Sequence, residues 1–581
     1  MNSQAFKHSA AHVLAAALVK LYPEIKLATG PATQNGYYYD FELPKSITPH
    51  DLGKIQKQMR KIISQNLPIK KERISIDRAK KIFKKLNQPY KLELIDDLIK
   101  KEGKKPVTIY KIGGMIDLCK GPHLKSTKEL NARGIQLTKL SGAYWKADEK
   151  NKMLQRIYGL AFSSKEKMEK FIQTAEQAKQ RDHRKIGKEL DLFITSDLVG
   201  KGLPLLTPKG AAIRQELEKF IIEEEFKRDY QRTFTPDLAR TELYKKSGHW
   251  QHYRESMYPA VKIENESYVL RPMTCPHQFM IYNSRPRSYR ELPIRYAELA
   301  KLYRREQSGE LSGLIRVMSF TLADAHIICR PDQVEKEFQD VVELVQFCMK
   351  TLGIKDFWYR FSKWNPKNKK KYVDKPEEWE KTQKFMKKIL ANLKLKYVET
   401  RDEAAFYGPK LDVQVKNANG KEDTAVTIQI DFDLPEKFDM TYIDENGEKQ
   451  RPMIIHRSSI GCIERTMAFL IEHYAGAFPV WLSPVQAVIL PVSEKFNSYG
   501  RKIKSRLKKN NFRIEIDDSN QSLGKKIRQA QAQKIPYMLI VGQKEKDAGS
   551  VAIRKRDGGD QGVKKLSSFI ETLKEEIQQK K

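Results

Sequence analysis

The sequence predicts a multidomain protein that combines an N-terminal α+β domain, a central domain built on a large antiparallel sheet with helices behind it, and a C-terminal α/β domain. Three observations support this prediction. The chain has 581 residues, more than a single hydrophobic core supports. Helix-like and strand-like stretches are mixed up to residue 162 and give way to a polar, charged stretch. After Pro484, short strands and helices alternate.

The first boundary is predicted at residues 163–188, which favour helix but lack apolar periodicity, as a helical linker between domains does. The first domain is predicted at residues 1–162, with strands at 36–41, 107–112 and 153–158. The segment 189–483 contains a long amphipathic helix at 211–228 and an apolar helix beginning near Gly461. The third domain is predicted at 484–581, with strands at 487–492, 512–516, 537–541 and 553–556 and helices at 495–509, 523–533 and 566–579.

The composition limits the classes of function. The net charge is +35, which attracts polyanions and makes RNA or DNA the expected partner, although a lysine-rich proteome has the same effect. No apolar run approaches the ~20 residues of a membrane span, and residues 1–20 do not read as an export signal. Five scattered cysteines favour a reducing compartment, so we expect a cytoplasmic protein without membrane association.

A candidate nucleotide site is predicted at a hairpin whose strands cover 302–306 and 314–320. On such strands Arg304 and Glu306 share a face, as do Arg316 and Phe320. Arg304 would bind a phosphate or carboxylate, Glu306 would accept from an exocyclic amine, and Phe320 would stack on a purine. Taken alone, an Arg-x-Glu strand is more often a surface ion pair.

A second candidate piece is the pair Gly461 and Arg465, which are four residues apart and are predicted to share one helical face. Glycine permits the close approach of a nucleotide, and Arg465 would cover the base opposite Phe320. The alternative is an amphipathic helix that only packs.

In chain order, the long helix, the hairpin and the glycine–arginine helix resemble motifs one, two and three of the class II aminoacyl-tRNA synthetases. Further segments resemble the threonyl-tRNA synthetase family: Ser247-Gly-His-Trp250, Pro272-Met-Thr-Cys-Pro276, Ala323-Asp-Ala-His326, Phe406-Tyr-Gly-Pro-Lys410 and Ile455-His-Arg457. The resemblance implies a class II antiparallel-sheet catalytic core at 189–483, a bacterial-type editing domain at 1–162 and an anticodon-binding domain at 484–581. It also implies that threonine, ATP with Mg²⁺, and tRNA(Thr) are bound, and that the long helix forms a homodimer.

The resemblance implies one zinc ion per subunit, held by Cys275, His326 and His456, which their spacing alone does not predict. Three protein ligands leave an open position, which threonine fills with its amino group and hydroxyl, whereas valine lacks the hydroxyl. Three further residues are implied to contact threonine: Asp324 at the hydroxyl, with Tyr407 and Gln429 near the amino group. The resemblance also adds Lys410 to Arg304 and Arg316 as charges that neutralise the transition state of adenylate formation.

Serine keeps the hydroxyl and lacks only a methyl group, a difference of about 1–3 kcal/mol, so a second sieve is needed. His8 and His12 share a helical face, and Cys119-Lys-Gly-Pro-His123 adds a thiol and a third imidazole. By resemblance these groups, with Lys91 and Asp117, position water at the ester of mischarged seryl-tRNA. A zinc site is the alternative for the same four groups. A zincin protease is unsupported, since Ser9 stands where glutamate is required.

In the C-terminal domain the resemblance implies that Asn520, Glu545 and Arg554 read anticodon bases, which unpaired loops offer to such side chains. Without the resemblance, each would be read as a surface polar residue. The alternatives to the whole reading are another class II synthetase, such as the prolyl or seryl enzyme, and a non-catalytic RNA-binding paralogue.

The sequence departs from the family pattern in three places. The editing-domain resemblance starts at the first residues of the sequence, so we expect the family's small ubiquitin-like domain ahead of it to be missing. Leu322 stands where a glutamine commonly holds the substrate carboxylate, which leaves Arg304 as its expected partner. Cys275-Pro-His-Gln278 replaces Cys-Pro-Gly-His, and Met318 replaces an arginine, while the expected ligand Cys275 is retained.

Overall fold

The computed structural model describes residues 3–307, 309–417 and 420–581. The chain divides into two compact units, the first ending at Glu176 and the second beginning at Gln177. Within the described residues, no helix has both the length and the apolar character needed to cross a membrane.

The first unit contains two antiparallel sheets, with strand orders β1-β2-β7-β6 and β3-β4-β5. Its helices are α1 (Ser3–Leu21), α2 (Leu52–Ser64), α3 (Ile76–Lys85) and α4 (Pro89–Glu102), and α5 (Lys165–Arg181) runs across the boundary of the units. Its strands are β1 (Lys26–Leu27), β2 (Gly36–Glu42), β3 (Lys70–Ile74), β4 (Val107–Ile112), β5 (Met115–Leu118), β6 (Ile135–Tyr144) and β7 (Met153–Ala161). The strands predicted at 36–41, 107–112 and 153–158 are confirmed as β2, β4 and the first part of β7.

Helix α1 supplies the centre of this unit's main core. Its alanines, such as Ala10 and Ala11, and the larger Leu14 are fully buried beside Tyr39 and Phe41 of β2. Small alanine side chains allow α1 and the sheet to approach closely, while the aromatic rings of β2 fill the remaining volume. This packing fixes the helix face that carries His8 and His12.

The second unit is organised around an eight-stranded sheet of order β10-β14-β15-β22-β19-β18-β16-β17, antiparallel except at the pairs β10–β14 and β16–β17. Its strands are β10 (Gln231–Arg232), β14 (Ile294–Tyr303), β15 (Ser319–Cys329), β16 (Phe357–Lys363), β17 (Tyr397–Arg401), β18 (Lys410–Lys416), β19 (Glu422–Asp431) and β22 (Met453–Cys462). Smaller strands lie outside it: β8 (Phe193–Ile194), β9 (Leu205–Leu206), β11 (Leu238–Arg240), β12 (Val261–Ile263), β13 (Glu266–Leu270), β20 (Tyr442–Ile443) and β21 (Lys449–Gln450). The predicted antiparallel sheet is therefore confirmed.

Helices of the second unit pack against this sheet and bury its largest core. The helices up to Tyr474 are α6 (His183–Glu189), α7 (Pro208–Phe226), α8 (Thr241–Lys246), α9 (His249–His252), α10 (Cys275–Tyr282), α11 (Val334–Thr351), α12 (Pro376–Asn392), α13 (Leu434–Lys437) and α14 (Ile463–Tyr474). Helix α7 corresponds to the predicted long helix; it begins at Pro208 because the Thr207 side chain caps it by accepting from Gly210 N–H. Helices α7, α11 and α14 contribute fully buried apolar residues to the core.

The C-terminal part folds as a mixed five-stranded sheet of order β24-β23-β25-β26-β27. Its strands are β23 (Ala487–Pro491), β24 (Ile514–Ile516), β25 (Tyr537–Val541), β26 (Ser550–Lys555) and β27 (Gly559–Lys565). Its helices are α15 (Asn497–Lys508), α16 (Leu523–Ala532), α17 (Gln543–Asp547) and α18 (Leu566–Gln578). The predicted strands and helices of this region are all present, with bounds that shift by a few residues.

Two local predictions are wrong. The hairpin pairs β14 with β15 as expected, but the strands meet at Tyr303 and Ser319, so Arg304, Glu306 and Arg316 lie in the connecting segment. The polar run after Tyr303 offers no apolar side chain for the sheet to bury. Gly461 belongs to β22 and not to the helix, which begins only at Ile463, so the shared helical face does not exist.

Candidate active site

Four polar side chains form a row across one face of the eight-stranded sheet. His326 of β15 lies opposite His456 of β22, His456 lies opposite Gln429 of β19, and Gln429 lies opposite Lys410 of β18. Directly opposed residues of antiparallel strands project to the same face. Strand register therefore assembles residues that are up to 130 positions apart in the chain.

Cys275 completes a three-residue cluster at one end of this row. It is the first residue of α10, and its sulfur and one nitrogen of each histidine all lie within 4.8 Å of one another. The two imidazole rings are perpendicular, with centroids 4.6 Å apart. One thiol and two imidazoles, all buried, are the donor set that Zn²⁺ accepts in sites that keep an open position.

Each histidine of the cluster is oriented by a hydrogen bond on the ring nitrogen that points away from the cluster. His326 Nδ1 lies 2.6 Å from Gln278 Oε1, and His456 Nε2 lies 2.8 Å from Asp431 Oδ2. The other oxygen of Asp431 accepts the backbone N–H groups of Asp433 and Leu434 at 2.8 and 3.0 Å. Oxygen partners on these nitrogens leave the opposite lone pairs available to a metal.

Burial governs protonation in the cluster. It raises the pKa of the Cys275 thiol well above its ordinary value and lowers the pKa of His326 well below its own. Burial also raises the pKa of Asp324 to about 6, although the neighbouring His456 acts in the opposite direction. Neutral imidazoles are the form that coordinates metal, and a bound cation would favour the thiolate.

The residues expected to contact threonine surround the cluster. Asp324 lies two residues before His326 on β15, and its carboxylate is 4.0 Å from the imidazole Nε2. Tyr407 stacks on His456 with a centroid distance of 4.8 Å and donates its hydroxyl hydrogen to Gln429. These side chains and Cys275 line one cavity of about 450 Å³. The structure brings the predicted group together, and the individual roles stay predictions.

The same cavity continues to the residues expected to bind nucleotide, namely Arg304, Glu306, Arg316, Phe320, Lys410, Gly461 and Arg465. The Arg304 guanidinium lies 5.0 Å from the Phe320 ring centroid and 5.6 Å from that of Tyr253. Within the described part of the chain it forms no ion pair; one Nη donates to Met273 Sδ at 3.4 Å, and its Nε is buried without a hydrogen-bond partner. An unpaired guanidinium in a cavity is suited to an anionic ligand.

Two other basic residues of the cavity, Arg316 and Lys410, already have acidic partners. Glu306 pairs with Arg316 at 2.8 Å, and Arg316 also lies 3.0 Å from Glu310. Lys410 lies 2.9 Å from the fully buried carboxylate of Asp412. The Arg-x-Glu pattern forms no ion pair of its own among the described residues: Glu306 pairs with Arg316, and Arg304 has no carboxylate partner.

Gly461 and Arg465 reach the cavity from two different elements. Gly461 has φ +76°, and a Cβ there would lie 2.1 Å from the carbonyl oxygen of Ala425, so only glycine fits. Arg465 of α14 donates to the carbonyl oxygens of Ile315 and Thr424 at 3.0 and 3.2 Å. Both residues line the cavity as predicted, but not by sharing a helical face.

A second cluster lies within the first unit, where His8, His12, Cys119 and His123 place their donor atoms within 4.8 Å of one another. Cys119 Sγ is 3.4 Å from His8 Nε2 and 3.2 Å from His123 Nε2. Burial is the largest cause of the lowered pKa of His12, about 4, and of His123, about 2, and it raises the pKa of Cys119 to about 11. Neutral imidazoles and a thiol are therefore the forms present near pH 7.

Lys91 and Asp117 form a buried ion pair beside this cluster, each with a side chain only 2% exposed. Asp117 also lies 3.5 Å from His12 Nε2 and accepts the hydroxyl hydrogen of Tyr39. These contacts and the neighbouring charges hold the pKa of Asp117 below its ordinary value even though burial opposes them. Tyr39 was missed from the sequence, where it reads only as an apolar residue of β2.

The three residues expected to read the anticodon lie on different elements of the C-terminal sheet. Asn520 is exposed between β24 and α16, and Glu545 lies on α17. Arg554 lies on β26, and its buried Nε has no hydrogen-bond partner in the part of the chain that the structure describes. Glu545 accepts the backbone N–H of Gly542 at 2.9 Å. The structure leaves their role as a prediction.

Two residues that hydrogen-bond to the histidines of the Cys275, His326 and His456 cluster carried little sequence signal. Gln278 was noticed only as a departure from the family pattern, and Asp431 was not singled out. His249, in the quoted Ser247-Gly-His-Trp250 segment, is fully buried; its Nδ1 lies 2.8 Å from Ser247 Oγ, and its Nε2 has no hydrogen-bond partner among the described residues. Buried polar atoms of this kind become visible only when the neighbours are known.

Comparison with known protein families agrees with this architecture. Residues 259–474 match the tRNA synthetase class II core domain (G, H, P, S and T), and residues 486–576 match an anticodon binding domain. Residues 107–158 match the threonyl and alanyl tRNA synthetase second additional domain. The fold and these matches define a class II aminoacyl-tRNA synthetase.

Individual relatives narrow the class. A threonine–tRNA ligase of Clostridium botulinum (strain Alaska E43 / Type E3) is 52% identical over 579 residues, which are 99% of this chain and 89% of the relative. One of Geobacillus sp. (strain WCH70) is 48% identical over 98% of this chain and 88% of its own. The crystal structure of the RNA binding domain of threonyl-tRNA synthetase from Cryptosporidium parvum Iowa II superposes with a TM-score of 0.65 at 34% identity, covering 68% of this chain and 98% of that one. The chain belongs to the threonine–tRNA ligase family.

Proposed function

We propose that this chain activates threonine with ATP to threonyl-adenylate, transfers the threonyl group to tRNA(Thr), and hydrolyses mischarged seryl-tRNA(Thr). One observation carries the proposal: a single cavity joins the Cys275, His326 and His456 cluster to the unpaired guanidinium of Arg304. One end of such a cavity suits an amino acid with a hydroxyl, and the other suits a nucleotide phosphate.

Zn²⁺ is the proposed resident metal, and the three ligands with their oriented imidazoles fit it. Bound there, the ion would supply a Lewis-acidic position for the amino group and hydroxyl of threonine. Asp324 would accept the threonine hydroxyl, and the Tyr407–Gln429 pair would face the amino group. Valine would leave Asp324 without a hydrogen-bond donor in a buried pocket, which disfavours it strongly.

For the first step, Arg304 would hold the threonine carboxylate and the α-phosphate of ATP as the carboxylate oxygen attacks phosphorus and pyrophosphate departs with Mg²⁺. Phe320 and Arg465 would enclose the adenine, and Gly461 would give it room. Glu306 would accept from the adenine amino group, and Arg316 and Lys410 would neutralise the phosphate charge. Positioning and fixed charges then provide most of the acceleration, without a protein nucleophile.

For editing, the first-unit cluster would bind the seryl ester and a water molecule. The neutral imidazoles of His8, His12 and His123 would accept hydrogen bonds from that water and position it at the ester. Asp117, anchored by Lys91, would orient His12 through their 3.5 Å contact. Serine enters because it is smaller than threonine, as a second sieve requires.

The domain limits that we propose are 1–162 for editing, 163–188 for the linker, 189–483 for catalysis and 484–581 for the anticodon. In the last of these, Asn520, Glu545 and Arg554 would contact unpaired bases of tRNA(Thr).

The net charge of +35 supports binding of an RNA backbone. All five cysteines lie in the described residues and form no disulfide, which supports a cytoplasmic location.

A homodimer is proposed because exposed apolar residues lie on and around the long helix α7. Phe226, at the end of this helix, is 79% exposed, and Phe234, in the segment after β10, is 89% exposed. Leu198, Val261 and Ile263 are also exposed in this region of the chain. Large apolar side chains exposed at the end of α7 and shortly after it favour a surface that a second subunit covers.

The deciding experiment is ATP–pyrophosphate exchange with threonine, serine, valine, proline or alanine, before and after zinc chelation. We expect exchange with threonine, weaker exchange with serine, and loss of both on chelation with recovery when zinc is returned. Exchange with proline or alanine alone would contradict the assignment, and exchange that survives chelation would contradict the metal.

A further inference from the structure

The segment 304–318 between β14 and β15 carries Glu306 and Arg316, and its second half is held at three places. Leu314 N–H is bound by His183, the Ile315 carbonyl accepts from Arg465, and Met318 N–H donates to the Gly202 carbonyl at 2.8 Å. Of these three contacts, only Arg465 belongs to the residues singled out in the sequence; Gly202 was not singled out there. The His183 contact comes from α6 in the predicted linker, where no functional residue was expected.

His183 is fixed on both sides of its ring. It is buried, with Nδ1 2.8 Å from the Glu472 carboxylate of α14 and Nε2 3.2 Å from the backbone nitrogen of Leu314. The Leu314 N–H can only donate, so Nε2 must be the acceptor, and the ring proton therefore sits on Nδ1 and points to Glu472. Both nitrogens are used, so the neighbouring group of Asp182, His183 and Glu472 is a hydrogen-bonded cluster and not a metal site.

The segment is shaped to meet this ring. Gly313 has φ +48°, and a Cβ on it would lie 2.1 Å from His183 Nε2. Leu314 itself is fully buried in the main core. A residue with a side chain at position 313 would push the segment away from the imidazole. The close approach of the backbone to the ring therefore requires both the glycine at 313 and the histidine at 183.

We propose that His183 is a positioning residue for the nucleotide: by holding Leu314 it sets the path of the backbone that presents Arg316 to the cavity. Arg316 follows Leu314 by two residues; its own side chain is 43% exposed, and its ion-pair partners among the described residues are Glu306 and Glu310 of the same segment. Its placement therefore depends on the backbone anchored by His183 and Arg465. This inference rests on the proposed binding of ATP in this cavity.

Two substitutions separate the two hydrogen bonds of His183. In H183N, the carboxamide nitrogen takes the position of the imidazole Nδ1 and still donates to Glu472. The side chain is too short to accept the hydrogen bond from Leu314 N–H. The H183Q carboxamide oxygen reaches the place of Nε2 and keeps the acceptor for Leu314. The readouts are the KM values for ATP and for threonine in ATP–pyrophosphate exchange, with thermal unfolding to verify the folded state.

We expect H183N to raise the KM for ATP about five- to tenfold, which is the size of one lost hydrogen bond, and H183Q to stay within about twofold of wild type. The KM for threonine should stay within about twofold in both. An unchanged KM for ATP in H183N overturns the proposal, as does a parallel rise of both KM values in the two variants. If H183N does not fold, H183Q decides: a KM for ATP raised more than about fivefold overturns the proposal. Absence of threonine-dependent exchange in the wild type would instead contradict the proposed function.

Discussion

The carboxamide of Gln278 accepts the Nδ1–H of His326 at 2.6 Å and donates to the Thr233 hydroxyl at 2.7 Å. These two bonds fix which end of the carboxamide is oxygen, and the oxygen in turn fixes the tautomer of His326. Gln278 comes from the Cys275-Pro-His-Gln278 segment that departs from the family pattern. The departure therefore supplies a hydrogen-bond acceptor behind a proposed metal ligand.

Replacing Gln278 with alanine should weaken zinc binding about 10- to 100-fold, because His326 loses the partner that orients it. Q278H, which offers an acceptor nitrogen and restores the residue type common in the family, should lose less. Zinc affinity is measured by competition with a chromophoric chelator. Q339A, at a partly exposed glutamine on α11, is the control, and equal affinities for Q278A and Q339A would contradict the role of Gln278.

Replacing Arg304 with lysine should lower kcat/KM for ATP–pyrophosphate exchange about 100-fold. Lysine keeps the charge but cannot present the planar fork of a guanidinium to a carboxylate and a phosphate together. R305K is the matched control, since Arg305 is the next residue and is exposed. A similar loss in R304K and R305K would show that the segment, and not the Arg304 guanidinium, is sensitive.

Replacing both His8 and His12 with alanine should leave threonylation intact while deacylation of seryl-tRNA falls about 100-fold or more, because the neutral bases of the first-unit cluster are removed. The measurements are deacylation of preformed seryl-tRNA(Thr) and steady-state accumulation of that product. H50A removes an exposed histidine from the same unit and should change neither. Unchanged deacylation in the double variant would refute the editing assignment.

The free energy of unfolding should depend on pH through His12. Burial is the main cause that lowers the pKa of His12 from 6.5 to about 4. Between these pH values His12 is protonated in the unfolded chain but neutral in the folded chain, so lowering the pH favours unfolding. The contribution of His12 to the free energy of unfolding is therefore complete above about pH 6.5 and is lost as the pH falls to about 4. The loss is about 3 kcal/mol at most. Urea unfolding at pH 7.5 and 5 should show a smaller pH dependence in H12Q than in wild type; identical pH dependence would contradict this account.

Placing a charge at the exposed Phe234 should dissociate the proposed dimer. F234D is compared with V398D, at a residue on β17 that is 58% exposed and remote in sequence from α7. Light scattering at micromolar concentration should give the mass of a dimer for wild type and V398D and that of a monomer for F234D. A monomeric wild type would remove the basis for the dimer.

The local elements of this protein follow from its sequence. Strand Tyr537–Val541 agrees to the residue with the apolar run that predicts it, and α7 lies within a few residues of its predicted bounds. Apolar periodicity and helix caps such as Thr207 involve only a few neighbouring residues. Helices and strands can therefore be predicted from them without knowledge of the fold. The family resemblance supplied the site residues, but not their arrangement.

Tertiary structure decided how those residues meet. Cys275, His326 and His456 come from a helix and two strands, and the register that sets His326 opposite His456 depends on pairing between chain segments 130 positions apart. Gly461 was wrongly predicted to lie in a helix, and parts of the segment 304–318 were wrongly predicted to be strands. A residue with positive φ and a polar loop have no apolar periodicity from which their conformation could be predicted. The sequence by itself determined which elements form and which side chains are available; long-range pairing and burial decided which of them share a cavity, because the free energy of those contacts depends on partners that local patterns do not contain.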